Sequence, residues 1–545
     1  MLAVVHRLAI SSLVCLILAT GCGGPTIAPN APVDSSPPPP AALQKIYTEH
    51  LGQLIGTTQN SLVDLGMTGT DLGSSFERDG KLVFLFGDSR AIVPTYQDDD
   101  SAAWTELGSN PLESDSLPTL TWFRDPGMPS RFLSLLIPTI NMRGMNVPVE
   151  GVARGSTTFV FAAAGFSPAL GSVTRSVLAH TEGLALESLV LDQSVASDKF
   201  LNVSVIADPD WLWIFGSGRY RQSPVYLARV DPSRLTDRAA WQYFRGYQGD
   251  TAQFGESEST ARPVVAASCV GELSVRLHPG LGYLMAYNCD QPRGINLRFA
   301  HDPWGPWSSA KVIFDPDADR GYGYFMHKKE SAVGYDDGLA EPGREDEWGG
   351  EYGPYLIPQW MRSEAAGVFS IVYALSSWNP YQVHLVRTIV AEPGVAASPP
   401  PPKGSGLPPA TLINGDFAAG DLRGWLTSGD AFAVTPGNDG HWRLTTYVPP
   451  KGGGVLGEIW QEFTVDSQTH ELRFAVAGGD AAVKLYHGPD VVRASHGRRT
   501  NSTETPVRWL LDDLSGETVR LAIVDGLTDS WGFVTVSGFE FVRDP

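Results

Sequence analysis

Between residues 42 and 396 the apolar positions come in short dense runs, not at the three-to-four spacing of an amphipathic helix. KLVFLFGD (81–88), TFVFAAA (158–164), WLWIFG (211–216), YLMAYN (283–288) and VFSIVY (368–373) each follow a Gly- or Pro-containing turn and end in small or polar residues. A third run often succeeds them: SVLA (176–179), VYLAR (225–229), INLRFA (295–300) and QVHLVR (382–387). Runs this apolar predict strands covered on both faces. Five such units, spaced roughly 55–90 residues apart, predict a five-bladed β-propeller. Residues 410–545 read differently, with polar and apolar positions alternating between frequent turns, as in a β-sandwich. The expected fold class is all-β: a five-bladed propeller followed by a galactose-binding-like sandwich.

Two Pro-rich stretches divide the chain. PTIAPNAPVDSSPPPPA (25–41) and ASPPPPKGSGLPP (397–409) have nothing to bury and read as tethers. The expected layout is a signal over 1–22, a tether over 23–41, the propeller over 42–396, a linker over 397–409 and the sandwich over 410–545. In the signal, a short apolar run leads to Leu18-Ala19-Thr20-Gly21-Cys22, which resembles a bacterial lipobox. Cys22 would carry the lipid, making the mature protein an exported cell-envelope lipoprotein; an ordinary secretory signal is the alternative. Export gives the cysteines a meaning. The hairpin between Cys269 and Cys289, turning at His278-Pro279-Gly280, sets Leu277 against Tyr283 and brings the two cysteines to its mouth as a predicted disulfide.

Composition narrows the partners. Of 545 residues, 40 are Lys or Arg and 60 are Asp or Glu, a net charge of −20. Such an acidic chain does not suit nucleic acid, whose phosphates need clustered cations. Charged residues are only 18%, whereas Gly (58), Pro (41) and Trp (15) are plentiful, as turn-rich β structure requires. No Ser-His-Asp elbow, P-loop or HExxH motif occurs.

The propeller reading places the start of each innermost strand at a central channel. That position is Asp71 in GTDLGSSF, Glu150 in VPVEGV, Asn202 in FLNVSV, Glu272 in GELSV and Tyr352 in GGEYGPYLIP, with Asp88 beside them. Glycoside hydrolysis needs one protonated and one ionised carboxyl flanking the scissile bond. Asp71, Asp88, Glu150 and Glu272 are the candidate acids. Asn202, Arg219, Arg221, His327, Tyr352, Trp378 and Asn379 are the candidate substrate-binding residues, and Trp348, Tyr355 and Tyr381 could stack on sugar faces. Two other polar stretches stand apart. Asp98-Asp99-Asp100 reads as a solvated loop, and HKKES (327–331) with EPGREDEW (341–348) as a polar lid near the channel.

GTDLGSSFERDGKLVFLFGDS (69–89), VPVEGV, WLWIFGSGRYRQSPVYLARV (211–230), GELSVRLHPGLGYLMAYN (271–288), LRFAHDPWGPWS (297–308), YGPYLIPQW (352–360) and YALSSWNPYQVHLVR (373–387) resemble the family catalogued as domain of unknown function 4185, associated with endo-D-arabinanases of glycoside hydrolase family 183. The resemblance implies a five-bladed propeller cutting within D-arabinofuranose chains, with Asp71 and Asp88 as its opening acidic pair and Glu272 as its later acid. It implies no required cofactor. NGDFAAGDLRGW (414–425) and the segments after it resemble sandwiches appended to bacterial glycosidases, which implies a carbohydrate-binding module with a structural Ca²⁺ near Asn414 and Asp416. The expected partners are a polysaccharide and, through Cys22, a membrane. The competing expectation is a catalytically silent lipoprotein that holds polysaccharide in the same funnel.

Overall fold

The computed structural model describes residues 37–545 except 56–64, 92–98, 115, 402, 438, 451, 453–454 and 544–545. The expected signal, Cys22 and most of the first expected tether lie outside these residues.

Strands between Gln44 and Ala391 form five antiparallel sheets of four or more strands each. Their innermost strands are Met67–Arg78, Val147–Arg154, Asn202–Ala207, Leu273–His278 and Glu351–Leu356. Each lies against the next, and the fifth against the first, so the sheets close into a five-bladed ring. The N-terminal strand Gln44–Ile55 pairs antiparallel with Gln382–Ala391 and is the outermost strand of blade five. The ring is therefore held shut by backbone hydrogen bonds between the two ends of the propeller sequence.

The dense apolar runs follow from this arrangement. In Lys81–Ala91, Leu82, Phe84 and Phe86 pack toward blade five among Tyr355, Trp360 and Val383. The intervening Val83 and Leu85 pack toward blade two among Val160 and Ala162. Alternate side chains of one strand thus fill two different inter-blade cores, and neither face can be polar. The Cys269–Cys289 disulfide is present at the mouth of its hairpin, with Leu277 opposite Tyr283.

Below the mouth the channel is closed by a polar knot. Arg276 of blade four donates from Nη1 and Nη2 to the two oxygens of Glu150 in blade two, each at 2.8 Å. Ser204 Oγ and the Val205 N–H of blade three also donate to Glu150, both at 3.0 Å, and Arg276 reaches Ser75 O of blade one at 3.2 Å. Four inner strands are tied at one point.

Blade five carries a second polar group, a buried His384 against a half-buried His50. His50 Nε2 and His384 Nδ1 lie 3.1 Å apart, with Phe325 stacked on His50 at 4.1 Å. Burial, with Arg493 nearby, lowers the His50 pKa from 6.5 to about 4, and burial beside His50 holds His384 well below the usual imidazole range. These imidazoles stay neutral in the folded chain, whereas the unfolded chain binds protons below about 6.5. Their contribution to stability is present above that pH and is lost as the pH falls toward about 4. Melting midpoints measured across this window should fall with acidification, and the slope should be shallower in a His384→Gln variant; equal slopes contradict the assignment.

Strands from Leu426 to Arg543 make two five-stranded sheets, packed face to face around Trp425, Phe474, Trp509 and Phe539. Asn414 and Asp416 precede them. Asn414 Nδ2 donates to Asp421 O at 2.8 Å, its Oδ1 accepts from Ala419 N at 3.2 Å, and Asp416 Oδ1 accepts from Ala418 N at 3.1 Å. These side chains close their own turn, and no group of three or more His, Cys, Asp or Glu able to hold a metal occurs among the described residues. One oxygen of each side chain thus serves the backbone of its own turn.

Candidate active site

The mouth of the ring is a cavity of about 350 Å³ lined by residues from all five blades, including Asp71, Asp88, Asn202, Arg221, Glu272, Tyr352 and Trp378. A wider groove of about 540 Å³ on blade one has, among its described lining residues, Glu106 and Glu113 as acids. The carboxylate cluster is in the funnel.

Asp71 and Asp88 are delivered by paired irregularities. The ladder between Met67–Arg78 and Lys81–Ala91 shifts register on both sides of Asp71 and Leu72, and these two residues face Gly87 and Phe86. Leu72 (φ 67°) and Asp88 (φ 41°) both adopt the left-handed region that non-glycine residues avoid. Bulges of this kind re-aim side chains at barrel rims and active sites. Gly87 is required here, since a Cβ would lie 2.7 Å from both Leu72 Cδ1 and Val147 Cγ1 and 3.0 Å from Asp71 Oδ1.

Asp71 Oδ2 accepts from the Tyr352 hydroxyl at 2.9 Å, while its Oδ1 is buried with no hydrogen-bond partner. The Tyr381 hydroxyl faces the same carboxyl and donates to Asp88 O at 3.3 Å. Burial, reinforced by the charges of Asp88 and Glu272, raises the Asp71 pKa well above the usual carboxylate range; the two tyrosines oppose the shift without cancelling it. Asp88 is half-buried, and its Oδ1 accepts from Met145 N at 3.1 Å. Glu272 precedes the inner strand of blade four, with Oε2 buried and unpartnered. Burial raises its pKa too, against the lowering effect of its own N–H, of Arg221, of the Gly353 N–H and of Asn288.

Around the acids stand the other expected residues. Arg221 lines the funnel and pairs with Asp290 at 2.9 Å; Asn202 opens the inner strand of blade three. Trp348 and Trp378 are 42% and 41% exposed, which leaves ring surface free for a ligand. Four expected residues do not reach the cavity. Glu150 faces the channel, but at the level of Ser204, two residues below the funnel-lining Asn202, and Arg276 occupies both its oxygens. Arg219 is exposed beside the funnel, outside its lining. His327 is fully buried, with Nδ1 2.7 Å from Asp337 Oδ1 and Nε2 2.9 Å from Glu345 O. Asn379 is equally buried and donates to Arg344 O and Glu347 O at 2.9 and 3.0 Å. Both brace the chain behind the funnel wall.

Asp100 is the residue that sequence reasoning missed. Asp99 and Asp100 are not a solvated loop: both are buried at the start of the strand Asp99–Glu106. Asp99 is neutralised by Arg131 at 3.1 Å and Arg143 at 2.6 Å. Asp100 Oδ1 accepts from Asp88 N at 3.2 Å, its Oδ2 is buried without a partner, and burial plus Asp88 raises its pKa well above the ordinary range. The signal was the position of the pair, at the mouth end of an Ala-Ala-Trp strand in the blade that carries Asp71. Tyr220, which receives a 3.3 Å hydrogen bond from Asn288, and Glu351, bonded to Arg293, also line the funnel and were not anticipated.

The comparisons with known proteins bear on the same region. The model of the family described as Domain of unknown function (DUF4185) matches residues 175–387. Two curated proteins are similar at low identity. "Uncharacterized 35.9 kDa protein in asd 3'region" of Mycolicibacterium smegmatis is 25% identical over 250 residues, 44% of this chain and 72% of that protein. "Notoamide biosynthesis cluster protein J" of Aspergillus sp. (strain MF297-2) is 27% identical over 314 residues, 52% and 81% of the two chains. Among solved structures, an exo-beta-1,3-galactanase from Phanerochaete chrysosporium aligns over 90% of this chain and 100% of its own at 11% identity and TM-score 0.40. A GH43_1 enzyme from Xanthomonas citri, complexed with xylotriose, aligns over 65% and 97% at 12% identity and TM-score 0.33. The five-bladed ring itself stands on this chain's own strand pairing.

Proposed function

We propose that this chain is an exported glycoside hydrolase that cleaves within arabinofuranose polymers, D-arabinan above all, in the funnel of its propeller. The observation that carries the reading is the Asp71 carboxyl, buried beside Asp88 and Glu272 at the focus of five blades, where burial holds its pKa well above the usual carboxylate range. A carboxyl whose pKa is raised in this way is suited to protonate a leaving glycosidic oxygen. Asp88, more exposed and held by the Met145 N–H, is placed to receive the proton of an attacking water or to face the anomeric carbon. Trp348 and Trp378 offer apolar faces for sugar rings, and Asn202 and Arg221 offer donors to hydroxyls. The motif resemblance in the propeller supports arabinofuranose as the sugar.

The test is product chromatography after incubation with D-arabinan, L-arabinan, fructan and galactan. Oligosaccharides from D-arabinan alone support the full reading; release from another glycan corrects the sugar; release from none rejects hydrolysis and leaves the silent binder. Anchoring through Cys22 is part of the same proposal. A Cys22→Ala variant should move the protein from the membrane fraction to the soluble fraction, and an unchanged distribution on fractionation contradicts it.

A further inference from the structure

We propose that the C-terminal sandwich is a working part of the funnel, with Arg498 as a positioning residue that fixes the wall carrying Trp348 and Trp378. The consequence for substrate rests on the funnel being the glycan site proposed above. The long connection from Lys311–Phe314 of blade four to Glu351–Leu356 of blade five runs onto the sandwich before it enters the funnel. There it behaves as an added strand. Asp336 N donates to Pro506 O at 2.9 Å, Arg508 N donates to Asp336 O at 3.0 Å, and Ala494 N donates to Gly338 O at 2.9 Å. Gly338 (φ 73°) presses on the sandwich so closely that a Cβ would lie 2.4 Å from Trp509 Nε1. Arg498 then gathers three carboxylates of the connection: Glu330, Asp336 at 2.9 Å and Glu345 at 2.7 Å.

From this clamp a continuous set of hydrogen bonds reaches the funnel. Asp337, next to Asp336, holds His327 Nδ1 at 2.7 Å, and His327 Nε2 meets Glu345 O. The His327 backbone accepts from Gly349 N and donates to Asn379 O, each at 2.9 Å. Gly349 and Asn379 are the immediate neighbours of Trp348 and Trp378, whose exposed rings line the cavity. The polar segment expected as a free lid is therefore clamped, with one end on the sandwich and the other in the site. Ordering a binding wall in advance lowers the entropic cost that a ligand otherwise meets.

The test uses the full chain with Arg498→Met and Arg498→Lys, and reads hydrogen exchange over residues 327–349 together with KM and kcat on a short arabino-oligosaccharide and on the polymer. In Arg498→Met, exchange in that segment should accelerate while blades one to three stay unchanged. KM should rise about tenfold on short and long substrates alike, with kcat within about twofold, as lost preorganisation of binding predicts. Arg498→Lys should fall between the parent and Met. If Arg498→Met fails to fold, Glu345→Gln, which removes one of the three counter-charges, should move both readouts in the same direction. Unchanged exchange overturns the proposal. So does faster exchange with unchanged KM, or a KM that rises only on polymer, which marks the sandwich as a glycan-holding module. If the parent hydrolyses no glycan, the functional reading fails, and the exchange measurement alone decides whether the sandwich braces the segment.

Discussion

Asp71→Asn is expected to lower kcat on arabinan roughly 10²–10⁴-fold, the usual worth of a positioned proton donor, while glycan affinity stays close to that of the parent. Asn keeps the shape and can still accept from the Tyr352 hydroxyl, so the funnel should not collapse. What it lacks is a transferable proton. The pH dependence gives a sharper check. An acid catalyst works while protonated, and burial beside Asp88 raises the Asp71 pKa well above the ordinary carboxylate range. Parent activity should therefore persist past the pH at which an exposed Asp ionises, and should fall as the pH rises through the shifted value. The residual activity of Asp71→Asn should lack that basic limb. An unshifted basic limb in the variant would assign the proton to another group, with Glu272 and Asp100 next in line because burial raises both.

Glu150→Gln is expected to act on stability, at a cost of about 3–5 kcal/mol, because it leaves the Arg276 guanidinium buried without its counter-charge. Both side chains are 9% exposed or less, so water can replace little of what is lost. The knot joins four blades, and chemical denaturation should report the loss as a lower midpoint. A Glu150→Gln/Arg276→Met double variant should recover part of it, since removing both charges leaves no unpaired ion. If Glu150→Gln unfolds like the parent but loses turnover, Glu150 belongs to the chemistry after all.

The two acids show what a sequence can and cannot disclose. Asp71, Glu272, Asn202 and Tyr352 were legible as a set because a propeller repeats, and the same strand position returns to the same place. Glu150 occupies that position by count, yet a register shift between Pro148 and Glu150 and the depth of its strand bring it to Arg276, 126 residues away in the chain. Counting along strands does not resolve that shift. Asp100 was obscured because its run of three aspartates looks like solvated loop until Arg131 and Arg143 are seen to neutralise its neighbour Asp99. His327 and Asn379 looked like ligands for substrate because polar residues near a channel invite that reading. Their partners come from within a connection whose path is set by the sandwich, and neither composition nor periodicity encodes that docking. The strand runs, by contrast, were plain, since burial on both faces leaves no room for polar residues in Leu82–Phe86 or Val160–Ala164.

The central claim is that carboxylates in the funnel cut the interior of a glycan chain. The most direct measurement is the size distribution of D-arabinan over time with the purified parent protein. Internal hydrolysis predicts a rapid fall in mean chain length with a spread of oligosaccharides from the earliest times, and no such fall with Asp71→Asn. A polymer that binds the protein and keeps its length contradicts the claim.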